Sequence, residues 1–397
     1  MFYVMSSRMG QLQIALAGWN LTGLPLVGKA PTYWAAAGFT DDVGLYYFVP
    51  LLSRLLNWPL EKSLDLFLGG ATLLGVLGAG WFLALAFRTV RARAVTALGL
   101  TLLVAQALRV SDLYVLLLFT LAPAAAFIVW AEKTKPRLGW AWMAALPLGI
   151  LYGYANRVRS QSGMAALLLL GSWLALTDRF PRRAKYAAVA LVLAGMAVPR
   201  AHFGSMEKAR DAFLESHIPG FEAKKIQHPI WHNIYIGLGY LPNPYGLSYS
   251  DTVAANRVKA VAPEVAYCSA EYEKVLKRET ILFARQHPGF VAETLAAKMA
   301  RVLWLVFLYA NLGLLYLPFV RPPPRLWMPF IPAALFTALP GILVMPEKTY
   351  LFGLLSLSVV FGLAMIGYRL EKPGDPFAAW GRRSPAPKTP SRLDRVG

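Results

Sequence analysis

The chain has little charge and a single cysteine. Cys268 cannot form an internal disulfide and has no cysteine partner for a metal site. Charged residues make up 15% of the 397 residues, whereas 57% are hydrophobic; soluble proteins carry about a quarter charged residues. The apolar excess lies in long blocks, which excludes a soluble globular enzyme and a disordered chain.

Long apolar blocks indicate membrane-spanning helices, because about 17–25 apolar residues cross the hydrocarbon layer as a helix. The sequence predicts an all-α polytopic membrane protein with about ten transmembrane helices, at 11–28, 64–87, 94–110, 113–131, 138–155, 163–177, 184–199, 299–320, 326–345 and 350–368. The first block is the weakest, since polar residues dilute it and Pro25 interrupts it. An interfacial helix or a truncated span is the alternative there.

Basic residues alternate between the two sets of short loops. One set, together with the tail, holds twenty Lys and Arg residues beginning with Arg8, and the opposite set holds seven. Because cytoplasmic loops are enriched in Lys and Arg, both termini are predicted to be cytoplasmic. The formal charge of +19 then follows from membrane topology, and no nucleic-acid partner is expected.

The predicted topology divides the chain into four parts. Residues 1–199 form an N-terminal transmembrane region whose first outer loop, 29–63, is long. Residues 200–298 form a polar, soluble-like segment on the outer face, and residues 299–370 form the C-terminal transmembrane helices. Residues 371–397 are rich in Pro, Ser, Arg and Lys, which predicts a disordered basic tail beside cytoplasmic lipid.

Acidic residues at the outer face are candidates for catalysis. Asp41 and Asp42 are adjacent in the first outer loop, before an apolar run over 45–56 that is predicted to lie along the interface. Such a pair can hold a divalent cation (Mg²⁺ or Mn²⁺), or one carboxylate can act as general base; a helix N-cap is the alternative. Asp112 follows Arg109 at the second outer turn, where a salt-bridged turn is the alternative.

Two further outer stretches suit a phosphate. Arg157 and Arg159 lie where the positive-inside rule gives no reason for arginine, and arginine favours bidentate phosphate contacts. Snorkelling to lipid headgroups is the alternative. The last outer turn places Lys348 and Tyr350 where a phosphate could be held, although a turn between two helices needs no function.

The segment 200–298 carries candidate acceptor or sugar-binding residues. His228 and His232 stand four residues apart, a spacing that suits a metal only on a helix. Pro229 and the following glycines and prolines predict a loop. The sequence therefore does not assign a metal to these histidines. The run from Trp231 to Tyr249, which includes Tyr240, is dense in aromatic and glycine residues and predicts either a sugar-binding surface or the packing of a small domain.

Taken together, these positions resemble the GT-C superfamily of integral-membrane glycosyltransferases. The likeness is to bacterial members that use polyprenyl-phosphate sugars, of the protein mannosyltransferase and aminoarabinose transferase type. Asp41 and Asp42, followed by the interfacial run, are similar to that family's first outer loop, and Asp112 matches its acid in the second outer turn. The stretch 346–351 (Pro-Glu-Lys-Thr-Tyr-Leu) resembles its late Pro-x-x-Arg-Tyr-Leu motif, with lysine and threonine departing from it.

The resemblance implies a reaction and a place for it. A sugar would move with inversion from polyprenyl phosphate to a lipid, glycan or protein acceptor, for cell-envelope assembly at the outer face of a bacterial inner membrane. No cofactor is implied with certainty, and a divalent cation is optional in this superfamily. The alternatives are a lipid-linked polysaccharide polymerase or ligase, and a transporter or flippase. Spans nearly free of charge favour surface chemistry over passage.

The resemblance also implies roles for individual residues. Asp41 would be the general base, and Asp42 would orient the acceptor or a metal. Arg157, Arg159 and Lys348 would neutralise the leaving phosphate. The phosphate-binding candidates further include Arg109 and Tyr350, and Asp112 is a third candidate catalytic acid.

Overall fold

The computed structural model describes residues 6–37, 42–110, 112–136, 141–221 and 229–371. Helices make up 79% of it. The only strands among the described residues are β1 (Val27–Lys29) and β2 (Trp34–Ala36), which pair as an antiparallel hairpin. The predictions for Asp41, His228 and the tail from residue 372 lie outside the described residues.

Sixteen helices are assigned among the described residues. They are α1 (Ser6–Thr22), α2 (Leu45–Leu56), α3 (Leu60–Ala86), α4 (Val90–Val110), α5 (Leu116–Thr134), α6 (Ala145–Val158), α7 (Ser162–Leu176), α8 (Arg182–His217), α9 (Ile230–Gly237), α10 (Asp251–Val261), α11 (Ala270–Gln286), α12 (Pro288–Ala310), α13 (Leu312–Val320), α14 (Pro324–Trp327), α15 (Phe330–Leu343) and α16 (Phe352–Glu371). Short 3₁₀ turns at Leu113–Val115, Ala141–Ala144 and Leu238–Tyr240 adjoin α5, α6 and α9.

Six helical stretches in the described part of the chain are long and apolar enough to cross a membrane. They are α3, α4, Leu113–Thr134, α8, Pro324–Leu343 and α16. A seventh crossing is formed if α12 and α13, which are bent by 73° at a short break, count as one span. The structure thus confirms a helical protein suited to multiple membrane crossings. At 14 and 15 residues, α6 and α7 are shorter than these.

Contacts between helices define two ends of the bundle. Gly353 at the start of α16 lies against Leu117 at the start of α5. Glu371 at the end of α16 forms an ion pair with Lys133 near the end of α5, so these helices run in the same direction. We call the end where α5 begins the Tyr114 end and the opposite end the Glu371 end.

Glycines allow the helices to cross closely. A Cβ built on Gly313 in α13 would lie 2.2 Å from the Cα of Gly362 in α16. That separation is far below van der Waals contact, so a larger residue at Gly313 would force the two backbones apart. Small residues at such crossings permit the dispersion contacts that hold helices together in lipid.

Ion pairs tie the loops together at the Glu371 end. The Glu371 carboxylate accepts hydrogen bonds from the backbone N–H groups of Arg88 and Thr89, at the start of α4. Arg325 pairs with Asp178 at 2.7 Å, and so joins the loop after α7 to α14. Arg179 in the loop after α7 also pairs with Glu132 near the end of α5, so the loops after α3, α5, α7 and α13 are gathered at this end.

The N-terminal region departs from the predicted first span. Helix α1 ends at Thr22, and the chain then turns back into the β hairpin instead of continuing helically to residue 28. Arg8 forms an ion pair with the buried Asp42, and Gly44 is hydrogen-bonded to Arg157 at the Tyr114 end. The prediction that Arg8 belongs with the basic residues of the opposite end is therefore wrong.

A second, smaller hydrophobic core lies in the predicted soluble segment. Its buried members are Tyr235, Ile236, Leu238, Leu247, Ala254, Val258, Tyr272 and Leu276. These residues come from α9, α10 and α11 and the loop between them, so the segment packs around an apolar centre of its own. The predicted boundaries at 199/200 and 298/299 fall inside continuous helices, α8 and α12.

Candidate functional site

Asp42 is a buried carboxylate next to a helix start. Its exposed fraction is 0%, and it pairs with the guanidinium of Arg8. Helix α2 begins at Leu45, and Gly44 occupies its N-cap position, so Asp42 is not the N-cap residue. The arginine compensates a buried charge that would otherwise be costly.

The acidic loop is attached to the end of α6. The backbone N–H of Gly44 donates a hydrogen bond to the carbonyl oxygen of Arg157 at 2.7 Å. A Cβ built on Gly44 would lie 2.9 Å from that same carbonyl oxygen, so the absence of a side chain permits this approach. The bond brings the loop containing Asp42 beside the arginine-bearing stretch 157–159.

Arg159 is held against a tyrosine at the start of α5. Its guanidinium donates to the Tyr114 hydroxyl, and its central carbon lies 4.4 Å from the centre of the Tyr114 ring. Tyr114 follows Asp112, which precedes the 3₁₀ turn Leu113–Val115. The cation–π contact and the hydrogen bond together fix the position of a group with five N–H donors.

Two more tyrosines continue this contact. The ring of Tyr350 lies 5.3 Å from the ring of Tyr114, edge to face. The hydroxyls of Tyr350 and Tyr249 are hydrogen-bonded to each other. Burial and the hydrogen bond to Tyr350 raise the pKa of Tyr249, so this phenol keeps its proton at neutral pH. The turn before α16 therefore meets both the arginine stretch and the segment 200–298.

Lys298 holds the last outer turn, between α15 and α16, through hydrogen bonds to backbone carbonyl groups. Its exposed fraction is 1%, and its ammonium donates to the carbonyl oxygens of Val344 at 2.9 Å and Leu343 at 3.4 Å. These carbonyls end α15, where a cation is favourable. The ammonium also lies 5.9 Å from the ring centre of Tyr240. Lys298 thus joins α12, the turn that carries Tyr350 and a predicted sugar-binding residue.

His232 takes part in a hydrogen-bond network inside the second core. Its Nδ1 lies 2.8 Å from the Tyr272 hydroxyl, and its Nε2 lies 3.0 Å from a carboxylate oxygen of Asp251. Burial raises the pKa of Tyr272, so its hydroxyl stays protonated. The Glu273 carboxylate accepts from the backbone N–H groups of Trp231 and His232, at 2.8 and 3.1 Å.

The sequence predicts that the stretch of the histidine pair, 228–232, is more loop than helix, and for its residues 230–232 this prediction is wrong because residues 230–237 are helical. They form α9, because Pro229 occupies the N-cap position, where it breaks no internal bond, and Glu273 supplies the missing acceptors. His228 lies outside the described residues, so its pairing with His232 stays a prediction. Within the described ranges, no group of three or more His, Cys, Asp or Glu side chains is placed to hold a metal.

The structure brings together part of the predicted site. Asp42, Arg157, Arg159 and Tyr350 come to the Tyr114 end through the contacts above, and Asp112 directly precedes the turn that holds Tyr114. Arg109 and Lys348 are exposed, and neither forms an ion pair within the described part of the chain. In that part, the salt-bridged turn between Arg109 and Asp112 is likewise not seen. His232 and Trp231 belong instead to the second core.

Sequence reasoning gave no role at this site to Arg8, Tyr114 or Lys298, and it singled out Tyr249 only as the end of the aromatic run that begins at Trp231. Only Lys298 carried a usable signal, since a lysine near the membrane in an apolar helix is costly and needs a partner. Tyrosines that act by contact leave no such pattern.

Comparison of the chain with protein-family models, curated proteins and solved structures finds no match. Its function is therefore argued from the geometry of the Tyr114 end.

Proposed function

We propose that the protein is an inverting membrane glycosyltransferase that moves a sugar from a polyprenyl-phosphate donor to an acceptor hydroxyl. The observation that carries the proposal is the convergence of four separate chain segments at the Tyr114 end. One brings a buried acid (Asp42), one a guanidinium (Arg159), and two bring phenols (Tyr114 and Tyr350). A cation with neutral hydroxyl donors suits a phosphate, and an adjacent acid suits activation of a hydroxyl.

In the proposed reaction, the acceptor oxygen attacks the anomeric carbon as the bond from that carbon to the phosphate oxygen breaks. Polyprenyl phosphate leaves with the electron pair, and Asp41 takes the acceptor proton. Arg159, with Arg157 beside it, stabilises the negative charge that grows on the phosphate. Asp42 is already paired with Arg8, which favours a positioning role for Asp42 and leaves the base role to Asp41.

The remaining candidates extend this site. Lys348 would reach the donor from the turn that carries Tyr350, and Arg109 and Asp112 would flank it. The acceptor, a lipid, glycan or protein, would approach from the segment 200–298, where Tyr249 contacts Tyr350. The reaction needs no metal for its atom balance, so Mg²⁺ or Mn²⁺ would act only as an aid to donor binding.

The proposed topology has nine crossings, beginning with α3. These are the long helices together with α6, α7 and the bent pair α12–α13, with α1 lying against the outer surface instead of making a tenth. The Glu371 end, which gathers the basic loops, would face the cytoplasm of a bacterial inner membrane. The Tyr114 end and the segment 200–298 would then face outward, where lipid-linked sugars are used for cell-envelope assembly.

Release of polyprenyl phosphate by the purified protein tests this proposal. We expect the protein in nanodiscs to release polyprenyl phosphate from at least one member of a panel of polyprenyl-phosphate hexoses and pentoses. Polyprenyl diphosphate release from an oligosaccharide-linked lipid, with none from the monophosphate panel, would contradict it and indicate a polymerase or ligase. Movement of an intact lipid-linked saccharide across the bilayer without cleavage would indicate a flippase.

A further inference from the structure

A cleft separate from the proposed transferase site lies between α1, α2 and the start of α3. Its volume is about 550 Å³, and its lining residues are Leu16, Asn20, Ser53, Arg54, Asn57, Trp58 and Pro59. Small-molecule sites span roughly 300–1,000 Å³, so the cleft can accept a headgroup. None of the residues assigned to sugar transfer lines it.

Arg54 gives this cleft its charge. Its guanidinium carbon lies 4.9 Å from the ring centre of Trp19, and Trp19 is in turn stacked on Tyr47 at 5.5 Å. A guanidinium stacked on an aromatic face keeps its N–H groups in its own plane, available to an acceptor. Among the described residues, Arg54 makes no ion pair and no side-chain hydrogen bond, and the lining contains no acidic residue.

Two hydrogen bonds between Ser53 and Trp58 close the loop at the end of α2. The Ser53 hydroxyl donates to the carbonyl oxygen of Trp58 at 2.6 Å, and the backbone N–H of Trp58 donates to the Ser53 carbonyl at 3.0 Å. Asn57, which directly precedes Trp58 in the chain, adopts the left-handed backbone conformation, with φ of 53°. In the described part of the chain, the side-chain amides of Asn57 and Asn20 have no hydrogen-bond partner, so both can donate to a ligand.

We use the term apolar rim for three exposed leucines that directly adjoin lining residues in the sequence. Leu21, Leu55 and Leu56 are exposed by 69%, 71% and 41%. Large exposed apolar side chains beside a cation are typical of helices that lie in the headgroup region of a bilayer. A ligand with an anionic head and an acyl chain would satisfy both the cleft and its rim.

We infer that this cleft binds the phosphate of an anionic amphiphile, with Arg54 as its main charged contact and Asn20 and Asn57 as hydrogen-bond donors. The phosphate would displace no hydrogen-bond or ion-pair partner of Arg54 among the described residues, where the guanidinium contacts the Trp19 ring. The inference is independent of sugar transfer: a protein that cleaves no donor could still bind lipid here.

Binding of dihexanoyl phosphatidic acid to the full chain tests the inference. The protein is immobilised in a detergent that carries neither sugar nor phosphate, and retention of the radiolabelled lipid is measured at increasing concentration. We expect saturable binding that Arg54→Gln weakens at least about tenfold, because a charge-assisted contact is lost. Arg183→Gln, an exposed arginine at the Glu371 end, is the matched control and should leave binding unchanged.

Three further probes define the ligand. Inorganic phosphate that competes as strongly as the lipid would support the phosphate site with a soluble anion as its source, whereas weak competition would support a lipid source. Octyl glucoside bound in an Arg54-dependent way, without binding of phosphatidic acid, would overturn the inference in favour of a sugar site. Equal binding of phosphatidic acid by wild type and Arg54→Gln would also overturn it, provided that both unfold at the same temperature.

Discussion

Replacing Arg159 with glutamine is expected to lower kcat/KM for a polyprenyl-phosphate sugar by about 10²–10³-fold. The guanidinium is held by the hydroxyl and ring of Tyr114, so it is positioned before the donor arrives. Its positive charge then stabilises the negative charge that develops on the leaving phosphate, whereas the neutral glutamine side chain offers only its amide dipole. The measurement is initial-rate release of polyprenyl phosphate at several donor concentrations.

Two further variants test whether the charge and geometry of Arg159 cause the expected loss of activity. Arg159→Lys keeps the charge but loses the planar stack and the fork of donors, so its activity should lie between wild type and Arg159→Gln. Arg183→Gln removes a positive charge at the opposite end and should have wild-type activity. An Arg159→Gln protein within twofold of wild type would place the donor phosphate elsewhere.

Replacing Asp41 with asparagine is expected to lower turnover by about 10²–10⁴-fold, the usual contribution of a general base. Donor binding should be nearly unchanged, because the amide has the size of the carboxylate and the base acts on the acceptor. Turnover and donor affinity are measured separately, by product release and by equilibrium binding of labelled donor.

Asp42→Asn is the matched comparison for Asp41→Asn. Asp42 is buried and paired with Arg8, so its loss leaves that arginine without its counter-charge. We expect a lower unfolding temperature with a smaller loss of turnover. If instead Asp42→Asn abolished turnover in a fully stable protein while Asp41→Asn did not, the two roles would be exchanged.

Hydrophobic length and loop charge predicted most of the helices. Eight of the ten predicted apolar blocks fall on α3 to α8, α15 and α16, because an apolar run of that length has few alternatives to a helix in lipid. The block 299–320 contains the break before α13. Its continuity could not be read from hydropathy, since Asn311 interrupts the helix with a positive φ of 47°.

The helix predicted over the first block ends early, at Thr22, because the hydropathy of a segment does not reveal which part of the chain packs against it. Gly18 in α1 allows β1 to approach so closely that a Cβ there would lie 2.2 Å from the carbonyl oxygen of Val27. This tertiary contact folds the chain back on α1. Arg8 was assigned to a side by loop counting, and loop counting cannot foresee an ion pair with a residue 34 positions later.

Asp42, Arg159 and Tyr350 of the candidate site were predicted from the sequence, whereas Arg8, Tyr114 and Lys298 were not. Charged residues near membrane-spanning segments are rare because their burial in lipid costs free energy. Asp42 and Arg159 could therefore be singled out from the sequence. Tyr114 lies in an apolar stretch where an aromatic residue is ordinary. Its contact with Tyr350, and that of Tyr249 with Tyr350, follow only from long-range packing between α5, the segment 200–298 and the turn before α16.

If sugar is transferred at the Tyr114 end, that end and the segment beside it must face away from the cytoplasm. Single cysteines placed in a Cys268→Ser protein measure this directly with a membrane-impermeant maleimide. Lys259→Cys, at an exposed position on α10, is predicted to react in intact cells, and Arg183→Cys, at the Glu371 end, to react only after the membrane is permeabilised. Reaction of Arg183→Cys in intact cells, with Lys259→Cys protected until permeabilisation, would contradict the outward placement of the site.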